Sequence, residues 1–177
     1  MNSLRTHFRR RCLAVLSSLL LLLLVIPAIG QAQVVKEPTK LDITIHATDD
    51  VNPTDQGQAA PIMVRVYELK SDETFKQADF FTLQNTDKAV LGADMLVKDE
   101  FILRPGDSKT IRRASYADTA VIGVLAAYRD LPNATWREVY KLSDAPEAAW
   151  YRSVLPSPKA KLNIELRTKD INITEIK

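Results

Sequence analysis

Apolar residues recur at every second position in several short stretches of the chain, and a period of two marks strands with one face in a core. Leu41, Ile43, Ile45 and Ala47 alternate with Asp42, Thr44 and His46. Ile62, Val64 and Val66 alternate with Met63, Arg65 and Tyr67 in a second strand that ends near Leu69. Further on, Leu162, Ile164 and Leu166 alternate with Asn163, Glu165 and Arg167, and Ile171 and Ile173 continue in the opposite phase, which places a turn or bulge around Lys169. The nine residues from Ala120 to Tyr128 carry no charge, which predicts a central strand buried on both faces. Trp150 to Leu155 reads as another strand, and Asp94 to Leu103 as one strand or two short ones. Pro105-Gly106 supplies the two central residues of a type II turn, after which Ser108 to Arg113 is expected to return as the partner strand.

A different period appears between the second strand and Gly92. Ser71 and Asp72 suit a helix cap, and Phe75, Ala78 and then Phe81 or Thr82 fall three and four residues apart, so one helix is expected to lay its aromatic face on a sheet, with Phe80-Phe81 as core filling. Gly92 marks the break after it. Ala134 to Leu142 fits either one or two helical turns or a strand. Between the first two strands, Asp49 to Pro61 has prolines, aspartates, an asparagine and a glycine but no apolar period, which makes it a loop, and a long one beside the usual 4–6 residues. Six to eight short strands with one helix and no alternation of strand and helix predict a mainly β fold, an antiparallel β-sandwich with one added helix.

The first 30 residues do not belong to that fold. Arg5, Arg9, Arg10 and Arg11 precede a nearly unbroken apolar run from Leu13 to Ile29, the pattern of an export signal, with an n-region over 1–12 and an h-region over 13–29. Small residues after Pro27 predict cleavage before Gln31 or before Gln33, and the alternative is an uncleaved anchor. A tether over 31–40 and a single domain over 41–177 follow. The whole chain carries 24 basic and 22 acidic residues; without the four leader arginines 20 face 22, so its apparent basicity belongs to the leader. The only cysteine, Cys12, precedes the apolar run, so the exported domain has no thiol for a disulfide, a nucleophile or a metal, and packing must stabilise it.

Little in the domain points to chemistry. His46 is its single histidine, expected on the solvent side of the first strand with no serine at useful spacing. Asp49, Asp50, Asn52 and Asp55 offer oxygens, but the spacing fails the calcium-loop pattern because Asp55 stands where a glycine is needed. The basic pairs Arg112-Arg113 and Lys159 with Lys161 are too sparse for a nucleic-acid surface, and no glycine-rich phosphate loop is present. Two matches to the glycosylation pattern, Asn133-Ala134-Thr135 and Asn172-Ile173-Thr174, are read as chance. The expectation is a binding or assembly domain without an evident active site, with no cofactor and no metal, presenting a long polar loop.

Several stretches in order carry a resemblance: Asn52-Pro53 with Asp55, Gly57 and Pro61 before Val64 to Leu69, then Ala78-Asp79-Phe80-Phe81, Leu103-Arg104-Pro105-Gly106, Gly123 to Asp130 and Trp136-Arg137. In these the chain resembles the TssJ family, small outer-membrane lipoproteins of the type VI secretion system. The resemblance implies a transthyretin-like sandwich with an added helix and a structural role in the periplasm. It also implies binding to the periplasmic C-terminal part of TssM, within a complex of further type VI membrane subunits. It makes the loop between the first two strands the partner contact, which in this chain means Asn52, Pro53, Thr54, Asp55, Gln56, Gly57, Gln58, Ala59 and Ala60. Pro53 and Pro61 stiffen its ends and lower the ordering cost of binding. The chain departs from the family at the end of the leader, where Gly30 and Gln31 stand in place of the lipid-modified cysteine. Periplasmic localisation is expected, with outer-membrane association left open by that departure. The rival reading is a transthyretin-like periplasmic domain that recognises another envelope protein or ligand.

Overall fold

A computed structural model describes residues 36–143 and 157–176. The export segment 1–30, the first half of the tether and the strand expected at Trp150 to Leu155 lie outside the described residues. Two four-stranded sheets face each other. Strands β1 (Lys40–Ala47), β4 (Ser108–Ala114), β7 (Lys159–Leu166) and β8 (Ile171–Glu175) form one in the order β4-β1-β7-β8. Strands β2 (Ile62–Leu69), β3 (Met95–Leu103), β5 (Val121–Ala126) and β6 (Arg137–Lys141) form the other in the order β3-β2-β5-β6. Helices α1 (Glu73–Gln77) and α2 (Phe80–Leu91) follow β2.

The alternating residues meet where the period predicts. Leu41, Ile43, Ile45 and Ala47 from β1 and Leu162, Ile164 and Leu166 from β7 pack against Ile62, Val64 and Val66 from β2 and Ile122, Val124 and Ala126 from β5. The opposite phase of β2 and β5 is buried as well: Tyr67, Leu69, Val121 and Leu125 pack under Phe75, Phe80, Leu83 and Leu91 of the helices. That second layer explains the charge-free run from Ala120. It also explains why the polar phase of β2 is not a solvent face.

Four expectations change. The single helix is two, because Ala78 adopts extended backbone and Asp79 starts a new helix by accepting the Thr82 N–H at 2.9 Å. The restart turns Phe80 into the core and leaves Phe81 62% exposed. The turn at Pro105-Gly106 forms, with Gly106 at φ 81° and the Asp107 N–H donating to the Arg104 carbonyl at 3.0 Å, but Ser108 to Arg113 does not return on β3. The Gly106 N–H donates to the Ala47 carbonyl and the Ala47 N–H to the Asp107 carbonyl, so the turn is stitched to the end of β1 and β4 pairs there, in the other sheet. A turn sequence sets a change of direction, whereas the strand met afterwards depends on which backbone edge is free. The sheets are also not wholly antiparallel, since β1 and β7 run parallel in register from Lys40 and Lys159. The open stretch Ala134 to Leu142 holds a strand, β6, preceded by a 3-10 turn at Leu131–Asn133, and Asp94 to Leu103 gives one strand from Met95.

Two charged clusters tie the layers together. Glu68 follows the inward phase of β2 and is 1% exposed; Arg113 of β4 donates to it at 2.6 Å and to Asp99 of β3 at 2.6 Å, while the Thr119 hydroxyl and the Tyr116 N–H reach its second oxygen. The pair bridges the two sheets. On the helix side, Asp87 of α2 accepts the Lys98 ammonium at 2.8 Å, the Tyr67 hydroxyl at 3.0 Å and the Lys88 N–H at 2.7 Å. Arg65 donates to Asp87 and to the carbonyls of Leu83 and Gln84, so a buried guanidinium closes backbone groups of the helix onto the sheet.

Arg113→Met leaves the Glu68 carboxylate buried with neutral donors only, and is expected to destabilise the fold by about 3 kcal/mol. Adding Glu68→Gln should restore most of that loss; urea titration of both variants measures it. The Asp87 carboxyl is pushed up by burial, but bonds from Lys98, Tyr67 and the Lys88 N–H outweigh that and hold it below its ordinary value of 3.8. A carboxyl lowered on folding stabilises the fold above its unfolded value and loses that contribution as pH falls through the folded one. Stability should therefore fall below about pH 4, and Asp87→Asn, less stable at neutral pH, should show a shallower acid decline in melts from pH 6 to 2.

Candidate functional site

The β1–β2 loop is built from its base upward. Val51 is fully buried, its N–H donates to the Thr48 carbonyl, and the Ala60 N–H donates to the Val51 carbonyl at 3.1 Å, which closes the neck. Asn52 has φ 49°, a left-handed conformation that asparagine tolerates better than most residues. It is 3% exposed; its Nδ2 donates to the Pro61 carbonyl at 2.8 Å and its Oδ1 accepts the Arg129 N–H at 2.7 Å. One side chain thus joins both ends of the loop to the segment after β5. Beyond it the tip folds on itself: the Thr54 N–H donates to the Gln58 carbonyl and the Gly57 N–H to the Thr54 carbonyl, each at 2.8 Å, and the Thr54 hydroxyl oxygen accepts from the N–H groups of Gln56 and Gln58. Gly57 sits at φ 76° with open space around it. Asp55 to Gln58 are exposed, while Pro53, Thr54, Ala59 and Ala60 are half-buried.

The ends of the strands bring two more loops to this one. Ala47 is in register with Leu166 and Val64 with Ala126, so the β5–β6 and β7–β8 connections emerge beside the β1–β2 loop. Together they enclose an open cleft of about 410 Å³, walled by Pro53, Thr54, Asp55 and Gly57 on one side, Arg129 and Asp130 on another, and Thr168 and Lys169 on the third. The walls are cross-braced. Asp50 accepts the Thr168 and Thr48 hydroxyls, each at 2.6 Å, and those bonds hold its carboxyl below the usual range. Asp130 accepts from the Lys169 ammonium at 2.7 Å and from the Asn133 side-chain amide at 2.8 Å, and both bonds lower its carboxyl too. Burial pushes the Tyr128 hydroxyl well up, and it stays protonated to donate to the Asp170 carbonyl at 2.7 Å.

The nine residues singled out in the sequence divide by this geometry. Asn52 is a buried clamp whose side chain is spent on the protein itself, and Asp55 to Gln58 form the projecting tip. Reading along the chain missed Tyr128, Arg129, Asp130, Thr168 and Lys169 as parts of the site. Only the turn around Lys169 was legible in the chain, and the meeting of all five depends on strand order. Asp50 is spent on two threonine hydroxyls, and among the described residues no group of three or more acids, histidines or cysteines is arranged to hold a metal ion. The expectation that no serine accompanies His46 is corrected: β1–β4 register sets Ser108 opposite it, with Nδ1 and Oγ 3.0 Å apart. Neither residue lines the cleft.

Asn52→Ala removes both bonds and places alanine at a positive φ. It should cost about 2–3 kcal/mol in unfolding free energy, while Asn52→Asp, which keeps the acceptor for the Arg129 N–H, should cost less. Hydrogen exchange at the Arg129 amide should rise in the first variant and stay slow in the second.

The comparisons with known proteins agree on this architecture. The family model for the type VI secretion lipoprotein described as VasD, EvfM, TssJ and VC_A0113 matches residues 39–169. The T6SS lipoprotein TssJ1 from Pseudomonas aeruginosa is 38% identical with a TM-score of 0.69, over 79% of this chain and 98% of that one. Serratia marcescens Lip, a membrane-bound component of the type VI secretion system, is 34% identical with a TM-score of 0.68, over 79% and 99%. A chain from EAEC described as the T6SS protein TssM C-terminal domain matches at 26% identity and a TM-score of 0.59, over 76% and 99%. No curated protein matches the sequence. With a family model covering most of its length and two solved relatives above 30% identity sharing its sandwich, the chain belongs to the TssJ family of type VI secretion lipoproteins.

Proposed function

We propose that the protein is a non-enzymatic assembly subunit of a type VI secretion membrane complex and binds the periplasmic C-terminal part of TssM through the loop end of the sandwich. The observation that carries this reading is the built loop. A projecting tip, Asp55 to Gln58, stands on a base whose hydrogen bonds are all internal, so it meets a partner already ordered and loses little conformational freedom on binding. The Asn52 to Ala60 segment is the contact, with Asn52 holding its shape and the tip touching the partner. The cleft beside it holds one braced ion pair, Lys169 with Asp130, rather than a nucleophile with a base, and the His46–Ser108 pair lies elsewhere, which fits recognition better than catalysis.

The protein works in the periplasm. Its only cysteine, Cys12, lies ahead of the apolar run, so in this reading attachment to the envelope comes from the leader or from protein contacts rather than from an acyl chain. Calorimetric titration of the exported protein with the TssM C-terminal region encoded in the same cell is the test. Saturable binding is expected, weakened at least about tenfold by Asp55→Lys with Gln56→Ala, substitutions on the exposed tip that should leave the melting temperature unchanged. A folded wild-type protein that gives no heat and no complex would overturn the proposal.

A further inference from the structure

We infer that the partner docks at two adjoining points, an acidic side chain on Arg129 and an apolar side chain lodged between Phe81 and Pro132. The inference rests on the reading of the loop end as the partner-binding face and specifies what that partner must present.

The first point follows from an inventory of charge in the cleft. Asp130 is neutralised by Lys169 and bonded to Asn133, and Asp50 is bonded to two threonine hydroxyls. Arg129 is exposed, and its guanidinium has no partner among the described residues although its own N–H is locked by Asn52. A guanidinium on a fixed backbone is a ready site for a carboxylate, which it can grip with two parallel N–H donors.

The second point is a patch on the helix side of sheet β3-β2-β5-β6. Phe81 is 62% exposed, which for a phenylalanine next to other apolar groups calls for a reason. It borders an open depression of about 360 Å³ with Asp79, Leu131, Pro132, Ala134 and Trp136. The floor is rigid: Phe80 meets Phe81 and Trp136 edge-on, with ring centroids 5.4 and 5.3 Å apart, and the Arg137 guanidinium lies 4.6 Å over the Trp136 ring while donating to the carbonyls of Phe75 and Ala78. Rigid aromatic seats of this kind take apolar anchors.

The two points belong to one surface because one loop makes a wall of each. Arg129 and Pro132 are three residues apart, at most about 11 Å between Cα atoms, so a single short segment of the partner reaches both. Asp79 at the rim accepts the Thr82 hydroxyl and N–H and stays ionised, which disfavours an anionic bilayer as the occupant of the patch.

The test is calorimetry of the full exported protein with the TssM C-terminal region at low and at high salt. Arg129→Glu should weaken binding at least about tenfold at low salt, with the deficit shrinking as salt rises, because the lost contact is between charges. Phe81→Ser should weaken it by a similar factor at both salts. Both side chains are exposed, and thermal melts are expected to match the wild type. Two variants that bind like the wild type, while the Asp55 tip variant still loses affinity, would overturn this inference and leave the loop-end reading standing. Loss of wild-type binding would instead remove the loop-end reading, and this inference with it. A wild-type dimer in sedimentation, or wild-type binding to anionic vesicles, that Phe81→Ser abolishes would assign the patch to a second copy or to lipid and overturn it as well.

Discussion

Strands β2 and β5 have no solvent face, and that constraint organises the molecule. A strand buried on both sides needs an apolar layer on each, which the opposite sheet supplies through Ile43, Ile45, Leu162 and Ile164 and the helices through Phe75, Leu83 and Leu91. It also cannot carry a polar residue without a partner, since an isolated buried charge is far too costly. The two charges of β2 each have one. Arg65 closes onto α2 and Glu68 onto Arg113, so the same strand that fills the core holds the helices to one side and the second sheet to the other.

The loop end follows from the same arrangement. Because β2 and β5 are neighbours at the centre of one sheet and β1 and β7 at the centre of the other, the connections leaving them crowd together at one end. Crowding alone would give a mobile fringe. Asn52 prevents it by occupying a left-handed conformation and spending both ends of its amide on backbone groups 9 and 77 residues away. Membership of the TssJ family gives this rigid end its context, and the physics explains how a loop of simple polar residues can act as a shaped surface.

Single residues show where local signals meet their limit. Pro105-Gly106 was legible as a turn, and the turn is there, yet nothing local could say that it would stitch to Ala47 and deliver β4 to the other sheet. Phe75, Ala78 and Phe81 carry helical spacing, but Asp79 is also a good helix cap, and capping won, moving Phe81 from the expected core face to the surface. Arg129 and Thr168 carry no local signal of a site because their role depends on being neighbours across a distance in sequence that only sheet order removes.

By itself the sequence determined the period-two strands of the described residues, the long loop between the first two of them, the doubly buried run from Ala120, the break at Gly92 and the family resemblance. Each is a local pattern, written in side-chain period or in the backbone preferences of proline and glycine. Tertiary structure alone decided the parallel pairing of β1 with β7, the crossing of β4 between sheets, the division of the helix, and the meeting of three loops around one cleft. Those depend on which edges and faces remain unpaired once the core has closed, and hydrogen bonds such as those of Asn52 form only after closure brings distant backbone within reach.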